Sequence, residues 1–457
     1  MGISFAKTPS LLEHGWILLL VIVAIGRGLL YVALVPPWQA PDETGHFEHA
    51  WLIARLGRIP GPQDANPELE QALVASLYEW RYGYYIGRPL PQWMPDRLKD
   101  LPPEIFAARS RTLGEFSLAY FWIALWLLPL RYEDLLIGLY LARFSSVVLN
   151  AAILVVAWKL FHLLLPEQSA LARAMTLVLA FHPQHTFINS MVGNGPLAEL
   201  GALLAIYGWT RILLEGWRGS ALAIALGGTG LGVMAKSTAL FLLPLAPVAM
   251  LLSLLHTFRQ SRVRATLGLI FGSAFLALLV SWILYMPGAS ELDMFLGAWR
   301  SGNWAANESS TLPSFDQILR VGVESYWFKL GWMNVSAPPW WYLISWIGML
   351  WALEGWLLPR SLGLRTPGRA IALMTAAVAL AVGGWVSFIA TSKGAAYYQG
   401  RYLFPIAAPF TFLLVGGWAR ALPESARAAF PTAVVAIVAA FEAIAFFPVV
   451  FYTYHGR

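Results

Sequence analysis

The sequence predicts an all-α polytopic membrane protein of about eleven transmembrane helices, with external loops carrying interfacial helices. Three observations predict it. The chain has 457 residues, 58% hydrophobic and 12% charged, with a mean hydropathy of +0.60. Soluble domains run closer to half apolar and a quarter charged. Apolar runs of about 18 or more residues recur, the length a helix needs to cross a bilayer. These runs are continuous, whereas a membrane strand barrel would alternate in short segments.

The first 35 residues read as an uncleaved first helix, because no small-residue cleavage site follows a short apolar core. The expected spans are 16–35, 137–157, 174–188, 196–212, 221–235, 238–255, 265–285, 340–358, 370–391, 402–418 and 431–452. The stretch 116–130 is apolar but only about 15 residues long, which suits an interfacial or re-entrant helix. Leaving it out puts Lys159 and Arg173, Arg211 and Arg218, Arg259, Arg262 and Arg264, Arg360, Arg365 and Arg369, and Arg420 and Arg427 on one side. By the positive-inside rule that side is the cytoplasm, with the N-terminus also inside. The loops 36–116 and 287–339 and the short loop 393–401 then lie outside, on a single transmembrane domain spanning 1–457. Their tryptophans and tyrosines suit ordered structure on the membrane, and loops this long are often functional.

The net charge of +6 fits loop arginines better than a nucleic-acid surface, so no nucleic-acid partner is expected. With no cysteine, disulfides, thiolate metal sites and cysteine nucleophiles are excluded. No glycine-rich phosphate loop follows a strand pattern.

The densest chemistry follows the first span, in Pro41-Asp42-Glu43-Thr44-Gly45-His46-Phe47-Glu48-His49. Ionisable groups at a membrane boundary are costly and mark function by default. A helix starting near Asp42 would put Glu43, His46 and His49 on one outward face, with Trp51, Leu52 and Ile53 on the membrane side. A carboxylate here can act as a general base toward a hydroxyl. Asp42, Glu43 and His46 could instead share a divalent cation, Mg²⁺ or Mn²⁺ ahead of Zn²⁺ because oxygen ligands lead. The bland alternative is that Asp42 caps the helix and Glu43 complements its dipole.

Other polar groups could converge there. His182 and His185 lie near the outer end of the third expected span, before Asn189 and Asn194. Lys236 stands between two apolar segments, facing headgroups or an anion. Lys393, Tyr397, Tyr398, Gln399 and Arg401 form a late polar cluster, followed by Tyr402. Arginine is the preferred phosphate partner because its fork matches the oxygens; snorkelling to headgroups is the alternative.

Together these segments resemble a known superfamily. A first helix followed by Pro-Asp-Glu-x-x-His and then Ala50-Trp51-Leu52-Ile53-Ala54 looks like the start of the GT-C membrane glycosyltransferases. The closest likeness is to an uncharacterised family of predicted bacterial membrane proteins within it. Gly232 to Leu240, Gln399 to Pro405 and the region 182–197 are similar to the same family. Such proteins often carry an Asp soon after the Asn equivalent to Asn194, where this chain has Gly195 and Pro196.

The resemblance implies a GT-C-like bundle that transfers a sugar, with inversion, from a polyprenyl phosphate to a glycan, lipid or protein acceptor outside the cytoplasmic membrane. It implies Asp42 as base, Glu43 in support, and Arg401 with Lys393 or Lys236 on the leaving phosphate. His46, His49, His182, His185, Asn194, Tyr397, Gln399 and Tyr402 would line the pocket. Rival expectations are a lipid-linked sugar flippase or other transporter, an O-antigen ligase-like enzyme without an essential carboxylate, and a non-enzymatic scaffold.

Overall fold

Residues 11–85, 113–130, 135–257, 262–285, 314–357, 366–392 and 398–456 are described by a computed structural model. These residues are almost entirely helical, and the only strands among them are the two-residue pair β1 (Lys329–Leu330) and β2 (Val335–Ser336). An all-α polytopic architecture follows: eight helical stretches are long and apolar enough to cross a membrane.

Helix α1 (Leu11–Leu34) has 24 residues, about 36 Å at 1.5 Å per residue, enough for a core of about 30 Å. The chain then reverses through Trp38 and Asp42, both at positive φ, into α2 (Glu43–Leu56), which Gly57 ends in the left-handed conformation. Helix α3 (Pro67–Glu79) starts where the Asn66 side chain accepts the Leu69 N–H at 2.9 Å. Helix α4 (Leu118–Leu127), capped by Ser117, has ten residues. That is about 15 Å, half the core thickness, which suits an interfacial or re-entrant helix better than a span.

The long spans continue with α5 (Leu135–Leu164), the short pair α6 (Ser169–Ala180) and α7 (Pro183–Ile188), then α8 (Gly195–Glu215), α9 (Gly219–Ala235), α10 (Leu242–Thr257) and α11 (Arg262–Tyr285). Helix α12 (Phe315–Trp327) precedes β1 and β2. Next come α13 (Pro339–Leu357), α14 (Gly368–Ser392), a 3₁₀ turn at Gly400–Ile406 running into α15 (Ala407–Ala421), and α16 (Phe430–Ile444), extended by a π-helical turn at Ala445–Phe451. Each of the eleven expected spans overlaps helix, but 174–188 is broken at Phe181 and His182 into α6 and α7. Three lie outside the eight spanning stretches: α6, of 12 residues, α9, of 17, and α13, whose tryptophans and glutamate lower its hydropathy.

Membrane helices cannot gain from burying apolar surface against one another, because lipid is equally apolar; close backbone packing does the work. Helices α8 and α9 meet along Gly201, Gly208, Gly228 and Gly232, and a Cβ at Gly201, Gly208 or Gly228 would collide with the facing backbone. Gly355 and Gly417 do the same for α13 and α15.

The apolar side of α2 does not lie on the membrane as expected. Phe47, Trp51 and Ile53 are buried against Tyr120, Ile123, Ala124 and Leu127 of α4 and Leu139 and Ala142 of α5.

Candidate functional site

The reversal between α1 and α2 is held by Arg143 of α5, fully buried among apolar side chains. Its guanidinium donates to the carbonyls of Val32 (3.3 Å), Val35 (2.7 Å) and Pro36 (2.9 Å). It also meets Glu43 in a fork, Nε to Oε1 and Nη2 to Oε2, each at 2.8 Å. The Val192 N–H donates to Glu43 Oε1 at 3.3 Å. Both side chains are completely buried. Glu43 therefore points inward, away from the outward face on which it was expected.

Asp42 is turned the other way. Its backbone sits at φ 61°, and its side chain makes no capping bond to α2, so the capping alternative does not describe it. The side chain is 53% exposed, and Oδ2 accepts from Arg401 Nη2 at 3.1 Å, joining residues 359 apart in sequence.

Arg401 stands at the start of the 3₁₀ turn before α15. Gly400 beside it donates its N–H to Ser325 Oγ of α12 at 2.7 Å. A Cβ at Gly400 would strike the Gly322 carbonyl and the Tyr326 backbone, so this glycine serves helix contact and not approach to a ligand. The Arg401 guanidinium lies 5.3 Å from the Tyr402 ring centre, and Lys236 Nζ, at the end of α9, lies 5.2 Å from the same ring. Arg401 Nε is buried with no hydrogen-bond partner among the described residues.

One turn after Asp42, His46 Nδ1 lies 2.8 Å from the Tyr120 hydroxyl. Burial drops the His46 imidazole to about 3, against the pull of Asp42, so it is neutral near pH 7. Partial burial pushes the Asp42 carboxyl up, but the positive charges around it, led by Arg401, outweigh this and hold it below the usual carboxylate range. With His46 neutral, Arg401 and Lys236 supply that field at pH 7.

A second polar set adjoins the first. His185 Nε2 lies 2.7 Å from Glu199 Oε1, and Asn189 Nδ2 donates to Glu199 Oε2 at 2.9 Å. His182 Nδ1 accepts the His185 N–H at 3.2 Å, and its ring stacks on Trp327. A small pocket lined by Asn189, Gly195, Glu199, Lys236, Arg401 and Tyr402 connects the two sets. Asn194 begins α8 beside it, in a turn whose Gly193 packs near the His46 ring.

Glu199 was missed by the sequence reading, although a lone carboxylate inside a span is itself a functional signal. Arg143 was missed for the same reason, as were Arg27 and Glu442, which pair across the bundle and take in the Tyr31 hydroxyl.

The expected ligand set Asp42, Glu43 and His46 does not assemble. Glu43 gives both oxygens to Arg143, and among the described residues no three His, Asp or Glu side chains converge as metal ligands do. His49 is fully buried and stacks on Tyr120 at 4.2 Å, so it lines no outward face. Gln399 directly precedes the Gly400 turn. Lys393 and Tyr397 lie outside the described residues.

Residues 25–409 match the family described as "Predicted membrane protein (DUF2142)", and the chain belongs to that family. No curated protein matches it.

Proposed function

We propose that this member of the DUF2142 membrane-protein family transfers a sugar, with inversion, from a polyprenyl phosphate to an acceptor hydroxyl on the outer face of the cytoplasmic membrane. The observation that carries the reading is the Asp42–Arg401 pair, with Lys236 on the same tyrosine ring. The pair supplies one half-exposed carboxylate with two cations close by, the groups that a base and a phosphate binder would need. The placement outside the cytoplasm rests on the distribution of loop arginines.

In the chemistry, Asp42 accepts the proton of the acceptor hydroxyl. The oxygen attacks the anomeric carbon, and the bond from that carbon to the phosphate oxygen breaks. The lipid phosphate leaves with the electron pair, and Arg401 and Lys236 stabilise its developing charge. The Arg401 contact to Asp42 is a single bond, and Nε has no partner among the described residues. An arriving phosphate can therefore draw the guanidinium toward itself. Asp42 then loses the chief charge that depresses its pKa and becomes a better base. Donor binding would thus prepare the base, which the Arg401 contact keeps quiet beforehand.

The deciding experiment incubates purified protein with polyprenyl phosphate sugars and membrane acceptors, comparing wild type with Asp42→Asn. Transfer by wild type and its loss in the variant supports the reading. Equal transfer by both removes it.

A second reading is favoured by one observation: Glu199 is a carboxylate only 2% exposed inside a span. Transporters carry such groups along their pathways. A flippase would move lipid-linked sugar across proteoliposomes without any acceptor, and Glu199→Gln would stop it.

A further inference from the structure

The end of the bundle away from Asp42 carries a groove that the proposed transfer does not use. Helix α9 runs about 25 Å from Gly219 to Lys236, so residues at its start are far from the Arg401 cluster. There a groove of about 460 Å³ opens between α9 and α11, lined by Trp217, Leu222, Leu267 and Phe271, with Arg218 and Arg264 at its sides. Gly268 shapes it: a Cβ there would run into the Trp217 ring, so only glycine lets the indole form the floor.

Helix α11 is the least enclosed of the eight spanning stretches, with 17% of its apolar window buried. Leu267 and Phe271 are 49% and 63% exposed. On a membrane-spanning helix such exposed apolar side chains would meet lipid. The two arginines come from different helices: Arg218 directly precedes α9, and Arg264 lies in the first turn of α11. Arg218 shares Glu215 with Arg211, at 3.3 Å, and its side chain is 56% exposed. Arg264 is exposed and has no acidic partner among the described residues. Arg211 and Arg218 thus share the one carboxylate of Glu215, and Arg264 adds a cation unpaired among the described residues, leaving net positive charge at the mouth of an apolar slot.

We propose that this groove binds an anionic phospholipid, its phosphate held between Arg218 and Arg264 and an acyl chain laid over Leu222, Leu267 and Phe271. Snorkelling arginines would meet headgroups without choosing among them. Two charges converging on one slot should instead favour an anionic headgroup, by roughly fivefold for each arginine.

Native mass spectrometry of detergent-purified protein, titrated with phosphatidylglycerol or phosphatidylcholine of matched chains, tests this. Wild type should bind phosphatidylglycerol in preference, by roughly 20-fold or more. The double variant Arg218→Ala/Arg264→Ala should lose the preference, and Lys159→Ala, a basic residue away from the groove, should keep it. Gly219→Trp, where an added Cβ meets no neighbour, keeps both arginines but fills the slot, and should also lose it. Monodisperse elution certifies the fold of each variant. Retained preference in the double variant or in Gly219→Trp overturns the proposal, as does equal loss in Lys159→Ala, which would mean diffuse charge. Displacement of the lipid by an equal concentration of glycerol phosphate would also overturn it, since the acyl chain would then contribute nothing.

Discussion

Replacing Glu43 with Gln separates a residue that holds the site from one that reacts. The Glu43–Arg143 pair is completely buried, and both carboxylate oxygens are taken at 2.8 Å. Glutamine keeps the shape and one acceptor, but its amide turns a donor toward a guanidinium that already donates to three carbonyls. A buried cation then lacks its counter-charge. Breaking such a pair costs about 3–5 kcal/mol, a large share of a typical stability of about 5–15 kcal/mol. Thermal unfolding in detergent should show a clear drop for Glu43→Gln, and turnover should recover at low temperature, where the fold persists. Arg143→Gln should be at least as damaging, because it also frees the carbonyls of Val32, Val35 and Pro36. The double variant should cost less than the sum, because contacting residues couple. Wild-type thermal stability combined with lost turnover in Glu43→Gln would refute this reasoning and return Glu43 to the chemistry.

Further expectations follow from the same geometry. Asp42→Asn should lower transfer by about 10²-fold or more, the usual worth of a general base, with donor binding retained; near-normal turnover rules the base out. Arg401→Lys keeps charge but loses the fork, so it should be impaired, and Arg401→Ala should weaken polyprenyl phosphate binding and turnover together; wild-type binding by Arg401→Ala would move the phosphate role to Lys236. His46 is held neutral well below its ordinary 6.5, so the unfolded state takes up a proton first and stability falls as pH drops from about 6.5. His46→Gln should flatten that acid slope in melting temperature against pH, and an unchanged slope would contradict the buried, neutral imidazole. In a chain without cysteine, Gln63→Cys should react with an impermeant thiol reagent on intact cells and Glu167→Cys should not; the reverse pattern inverts the topology.

Much of this protein was legible in one dimension, for a physical reason. Crossing lipid demands long apolar runs, so α1, α5, α8, α11 and α14 announce themselves, and ten residues at α4 are too few. Charge at such a boundary is expensive, which singled out Asp42 and Arg401, whose contact across 359 residues the structure supplies. What failed was the facing of individual side chains. Asp42 and Glu43 are neighbours, yet a positive φ at Asp42 sends one outward and the other into Arg143. His49 and Trp51 were placed on an outward face and a lipid face, and both are buried. Glu199 and Arg143 passed unnoticed inside apolar runs. In water, hydrophobic periodicity tells a buried face from a wet one. In lipid both faces are apolar and the periodicity fades. Sequence therefore determined that these segments are helices and that charge collects at their ends. Which faces meet was decided by glycine seams such as Gly201, Gly208 and Gly228, by buried ion pairs, and by a turn at Asp42 that exists only in three dimensions.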